Sequence, residues 1–176
     1  MRVAWMQLYM ERGTHKCSVK ELSERAQVNR ATFYLHYKDT ESIGKDIADS
    51  FAERVLQVTE RLLSSSLVGA MFAFPAEMET LLDGDEVLRS FLEEESRALD
   101  VLARTKTVLT ECIERYFVRS LAYESLAAHI NGVLLANMAI GGVFDRQFGS
   151  RNYTLEELSN RLARVAHALL EDSPAK

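Results

Sequence analysis

Proline is nearly absent, two residues in 176, and glycine is sparse at eight. So few chain breakers exclude a loop-rich architecture, and no segment alternates apolar and polar residues with the period of two that a half-buried strand needs. Cysteine is equally scarce. Cys17 and Cys112 form no spaced cluster, which excludes a disulfide framework and a cysteine-ligated zinc site and points to a reducing, intracellular home. The opening residues are not a charged stretch followed by an apolar one, so a secretory leader is not expected and the cytoplasm is. Of the four histidines, none of His15, His36, His129 or His167 has Glu three positions earlier, the pairing a di-iron helical bundle requires. Catalysis, a cofactor and a metal are therefore not expected, and the run Glu93, Glu94 and Glu95 reads as a solvated helix end.

What is present favours helix. A hydrophobic content of 47% is enough to bury a core in a chain of this length, and Leu, Ala, Glu and Arg are abundant. The net charge of −5 argues against a nucleic-acid binder until it is divided. Residues 1–40 hold seven Lys or Arg against four Asp or Glu, a net +3, and the rest of the chain holds 14 against 22, a net −8. Charge segregated in this way fits a small first domain that touches phosphates and a larger second one that does not.

The most informative stretch is residues 17–41, CSVKELSERAQVNRATFYLHYKDTE. Ser18 with Glu21 is a capping box that starts a short helix, and Val19, Leu22 and Ala26 give it one narrow apolar face. Gln27-Val28-Asn29 breaks the pattern. Asn29 then caps a second helix, about Arg30 to Tyr37, in which Phe33 and Tyr37 face inward while Arg30, Ala31, Tyr34, Leu35 and Lys38 lie largely on the other side. A short helix that presents a cation, a small residue and a phenol near its start is shaped to enter a major groove.

The run A-Q-V-N-R-A-T-F-Y-L-H-Y-K-D-T-E resembles the helix-turn-helix signature of the TetR-type (tetracycline-repressor-like) transcriptional regulators, usually A-G-V-S-x-x-T-x-Y-x-H-F-x-x-K-E. Gln27 stands where the usual glycine does, and Thr40 where the usual lysine does. The likeness covers residues 1–50, and beyond them only an all-helical outline. It implies an all-α fold: a helix-turn-helix DNA-binding domain over 1–46, joined by a long helix to a ligand-binding and dimerisation bundle over 47–176. It also implies a basic arm before the first helix, where only Arg2 stands.

The remaining periodicities fit that outline. Residues 2–12 form a first helix that Gly13 closes, with Trp5 and Tyr9 in its apolar stripe. Ile43, Ile47, Phe51, Val55, Val58 and Leu62 mark one long helix from Thr40 to the Ser64-Ser65-Ser66 break. Short helices are expected at about 75–82, opening on Pro75, and at 86–93. A longer one is expected at about 97–118, with Leu99, Leu102, Val108 or Leu109, Cys112, Ile113 and Tyr116 inward. Residues 125–144 carry no formal charge and reach the length of a membrane span. Their His129, Asn131 and Asn137 and three glycines instead suggest a helix buried against protein. A second capping box, Thr154 with Glu157, opens a last helix, where Leu155, Leu158, Leu162, Val165 and Leu169 make a packing seam. In the resembling family the last two helices pair two subunits, and a homodimer matches a palindromic operator in double-stranded DNA.

Helical geometry and the resemblance together select the DNA-facing residues. Arg30 and Ala31 are expected at base edges, Lys20 at a base or a phosphate, and Leu35 at a thymine methyl. Ser18, Thr32, Tyr34, His36, Lys38 and Thr40 form the phosphate set, with Asn29 at the helix start. Thr32 can equally support the helix start, and His36 can equally be a packed, hydrogen-bonded residue. The family usually encloses an inducer in its second domain, so the expected function is a repressor released by a small organic molecule of low polarity. Candidate lining residues are Phe72, Phe74, Met78, Phe91, His129, Asn137 and Met138. Two other functions stand beside this one: a redox-responsive regulator acting through Cys17, and a helical adaptor that binds only proteins.

Overall fold

The computed structural model describes residues 1–13, 16–149 and 152–171, and for residues 95–97 the backbone only. Among them run nine α-helices and no strand: α1 (Arg2–Arg12), α2 (Val19–Arg25), α3 (Arg30–His36), α4 (Glu41–Leu63), α5 (Leu67–Asp83), α6 (Glu86–Leu92), α7 (Glu95–Leu121), α8 (Ser125–Phe148) and α9 (Leu155–Glu171).

Helix starts follow local chemistry. Ser18 and Glu21 form the full capping box, and the side chains of Asn29, Ser66 and Asp85 each accept an amide of the helix that follows. The Thr154 amide donates to Glu157 Oε2 at 2.7 Å, and the Glu157 amide donates to Thr154 Oγ1 at 3.1 Å, completing the second box. Gly13 ends α1 in the left-handed region, φ 65°. That position favours a residue without a Cβ.

Three expectations need correcting. Pro75 does not open a helix; it lies inside α5. Proline removes one intrahelical donor, but Leu67, Ala70, Met71, Phe74, Pro75, Met78 and Leu82 are all buried on one stripe that runs through it, and that shared burial carries the helix across. Leu99 faces solvent, 57% exposed, rather than inward. Tyr116 is only half-buried, while its neighbour Phe117 is fully buried.

The helices pack as two joined units. In the larger, α7 lies along α8 and α4, and α5 along α9 and α4. In the smaller, α1, α2 and α3 surround Leu22 and Phe33, both fully buried. The long helix α4 belongs to both, with Ile43 and Ile47 buried at one end and Thr59 and Leu63 at the other. A second junction joins α1 to α6, where Trp5, Tyr9 and Phe91 form a three-ring cluster with centroids 5.4 to 5.8 Å apart.

The α7–α8 contact needs a glycine. A Cβ on Gly132 would fall 2.8 Å from the Thr110 carbonyl oxygen, so only its absence lets the two backbones approach. The opposite side of α8 is uncovered: Leu126, Ile130, Val133, Leu134 and Met138 are exposed along it. By length and composition α8 could cross a membrane, and only 39% of its most apolar window is buried. The apolar seam of α9 is already covered within the chain, because Leu158 and Leu162 are buried where α9 meets α5 and α8.

Candidate nucleic-acid interface

The turn before α3 is set by backbone geometry. Gln27 adopts φ 55°, the left-handed region; its amide donates to the Glu24 carbonyl and that of Val28 to the Ser23 carbonyl. This is a Schellman termination of α2, and it needs a left-handed residue between its two bonds. Asn29 then accepts the Thr32 amide at 2.7 Å, which fixes the first turn of α3.

Phe33 anchors α3 beneath, edge-on to Tyr34 and tilted against Tyr37. Tyr37 falls just past the helix end in extended backbone, not inside the helix as expected. Its hydroxyl donates to Asp46 Oδ2 at 2.5 Å, and Arg2 forks onto the same carboxylate at 2.6 and 2.8 Å while also donating to Ser50 at 3.0 Å. The Arg2 and Tyr37 hydrogen bonds hold the Asp46 carboxyl below its ordinary range. Arg2 is therefore a brace between α1 and α4 rather than a groove-reaching arm. No local spacing announces this, since Arg2 and Asp46 are 44 residues apart.

Ion pairing sorts the remaining charges. Arg25 forks onto Glu11 at 2.6 and 2.7 Å, and Arg12 holds Glu21 at 2.9 Å. The Arg12 contact, with the Ser18 amide and hydroxyl, lowers the Glu21 carboxyl from 4.5 to about 2. Two of the acids of this domain are thus neutralised by cations off α3. Lys20 and Arg30 stay exposed, with no ion pair among the described residues, and Lys38 is 85% exposed with only a loose 3.9 Å contact to Asp39.

The outer face of α3 presents Arg30, Ala31, Tyr34, Leu35 and His36 together, with Tyr34 59% and Leu35 82% exposed. The hydroxyls chosen for phosphates are otherwise engaged. The Ser18 hydroxyl donates to Glu21, that of Thr32 to Asn29 Oδ1, and that of Thr40 to the Cys17 carbonyl. A phosphate accepts and cannot donate, so the candidates with donors left for it are Arg30, Tyr34, His36 and Lys38, the Asn29 side-chain amide, whose Oδ1 alone is engaged, and Lys20 on the neighbouring α2. Between the two readings of Thr32, the geometry is that of a helix-start support; His36 is exposed rather than packed.

The other singled-out residues scatter. Cys17 is half-buried, and burial together with the Glu21 carboxylate pushes its thiol up, the reverse of an activated thiolate. Glu93 and Glu94 are exposed; His15 and the Glu95 side chain lie outside the described residues. The expected ligand lining does not converge on one cavity. Phe74 and Met78 are fully buried, whereas Phe72, His129, Asn137 and Met138 are exposed. Uncharged side chains look alike in a sequence whether they face a cavity, a solid core or an uncovered helix face, and here they divide among all three. Only Phe91 borders a sizeable cavity, about 650 Å³, at the α1–α6 junction.

No curated protein sequence matches this chain. Its fold is similar to the crystal structure of the TetR family repressor AlkX from Dietzia sp. strain DQ12-45-1b, a protein implicated in biodegradation of n-alkanes. The two are 17% identical, with 98% of each chain covered and a TM-score of 0.48. Residues 3–46, from α1 into the start of α4, match the family model of the bacterial regulatory proteins of the tetR family. The family match is confined to this amino-terminal domain, which is similar to that of the tetR family of bacterial regulatory proteins.

Proposed function

We propose that this regulator binds a palindromic operator as a homodimer, residues 1–46 reading DNA and residues 47–176 pairing the subunits. The observation that carries the reading is the outer face of α3, on which Arg30 and Lys38 stay available while Arg2, Arg12 and Arg25 are tied to carboxylates. Arg30 can grip a guanine bidentately, Ala31 leaves room for a base edge, and Leu35 can meet a thymine methyl. Lys20, Tyr34, His36, Lys38 and the Asn29 side-chain amide supply donors to phosphates. Ser18, Thr32, Thr40 and the Asn29 Oδ1 act one step back, by fixing the helix starts that aim those donors.

One head makes few contacts, so pairing is needed for affinity. Two heads related by a two-fold axis read successive major grooves, about 34 Å apart or a multiple of that. The exposed stripe of α8 is the pairing surface, flanked by α9, since Leu126, Ile130, Leu134 and Met138 would otherwise face water. On this reading the chain is a cytoplasmic repressor released by a small organic ligand, without catalytic function. Selecting bound sequences from a random DNA pool tests it. A symmetric, two-half consensus is expected; a pool that enriches nothing, or only an unsymmetrical site, would overturn the dimeric operator.

A further inference from the structure

The cavity of about 650 Å³ lies between the DNA-reading head and the body, and its volume is that of a site for a small organic molecule. Trp5 and Tyr9 of α1 form one wall and Phe91 of α6 another, while α4 between Glu41 and Asp49 and α7 between Asp100 and Arg104 supply the rest. The indole sits tight on α4, because Gly44 has no Cβ to oppose it; one would lie 3.0 Å from the ring. The charges around this aromatic wall are uneven. Arg104 is held by Asp49, Nε to Oδ1 2.6 Å, which leaves, among the described lining residues, Glu41 and Asp100 facing the single cation Lys45. Trp5 and Phe91 are buried against each other and Tyr9 is half-buried, so the rings give the cavity an apolar wall for a ligand's body, and the surplus carboxylate favours a positive charge on it.

We propose that this junction is a regulatory site for an organic monocation with an aromatic or branched apolar body. Occupancy bridges α1 to α7, and a ligand that binds one arrangement of head on body better than another shifts the population of head positions. The consequence for DNA rests on the operator-binding reading above; the binding step does not.

Trp5 is the chain's single tryptophan, so emission from the full-length protein reports on the cavity wall directly. The probes are benzyltrimethylammonium, the neutral N,N-dimethyl-2-phenylacetamide and the anionic phenylacetate. A saturable change in Trp5 emission is expected with the cation, and binding about tenfold weaker for the other two. In the double variant Glu41→Gln, Asp100→Asn, two exposed positions, cation binding should fall about tenfold with amide binding and thermal melting unchanged. Emission that never saturates, three probes that bind alike, or a variant that binds the cation as the wild type does would overturn the site. Against operator DNA taken from the random-pool selection, saturating cation should lower affinity by about fivefold or more. An affinity that does not move would overturn the coupling. A chain that binds the cation at this site yet enriches no DNA would sink the operator reading and leave the cation site standing.

Discussion

Gln27 holds the left-handed conformation that the α2–α3 turn requires, and a side chain there costs about 1 kcal/mol relative to glycine. Gln27→Gly should therefore raise the thermal stability of the head by roughly that amount, read as an increase in melting temperature; an unchanged or lower value would show that the turn is not strained. Glu21 gives a pH signature. Its folded-state carboxyl is lowered from 4.5 to about 2, so its contribution is complete above about pH 4.5 and is lost as pH falls toward 2. Glu21→Gln should flatten the acid limb of the stability profile in that window and leave its neutral region parallel to wild type, as followed by circular dichroism. On the DNA face, Arg30→Ala should cost about 1 to 3 kcal/mol of operator affinity and relax sequence preference. Lys38→Ala should weaken all sequences alike and lower the salt slope by about 1. Identical behaviour of the two in a binding titration would refute the division between base and phosphate contacts.

Among the elements, the helices whose caps are local were legible before any packing was known. Ser18 with Glu21, Asn29, and Thr154 with Glu157 mark helix starts that the structure reproduces. Helix α5 was not legible, because Pro75 signals a first turn locally while the burial that carries α5 through it is a tertiary property. Helix α8 shows the same division. Its small residues suggest a close neighbour, but which glycine meets which backbone is decided only by the path of α7 past Thr110. Gly132→Ala should gain helix propensity and still lose about 1 to 3 kcal/mol, because a Cβ 2.8 Å from a carbonyl forces the two helices apart. A chemical denaturation midpoint at or above that of wild type would contradict this.

At the scale of the molecule, two junctions hold the head on the body: α4, shared by both, and the ring cluster of Trp5, Tyr9 and Phe91. The Arg2–Asp46–Tyr37 brace ties α1 and the end of α3 to the first of these. On the pairing proposed above, the exposed stripe of α8 is where two such molecules meet. Leu134→Glu, at a position 47% exposed in the single chain, should leave the monomer folded, abolish pairing by sedimentation, and reduce operator affinity by orders of magnitude. A variant that still sediments as a dimer would place the interface elsewhere.

Residue order alone determined the all-helical class, the head with its two short helices, the long α4 and the segregation of positive charge, because caps, periodicity and net charge are local or additive. Tertiary structure alone decided which cations remain available, that Arg2 is a brace, and that Phe72, His129 and Met138 face outward. It also decided that the cavity opens at the head–body junction. Each of those depends on side chains far apart in sequence meeting in space, and an ion pair, a covered face or a cavity exists only once the helices have chosen their neighbours.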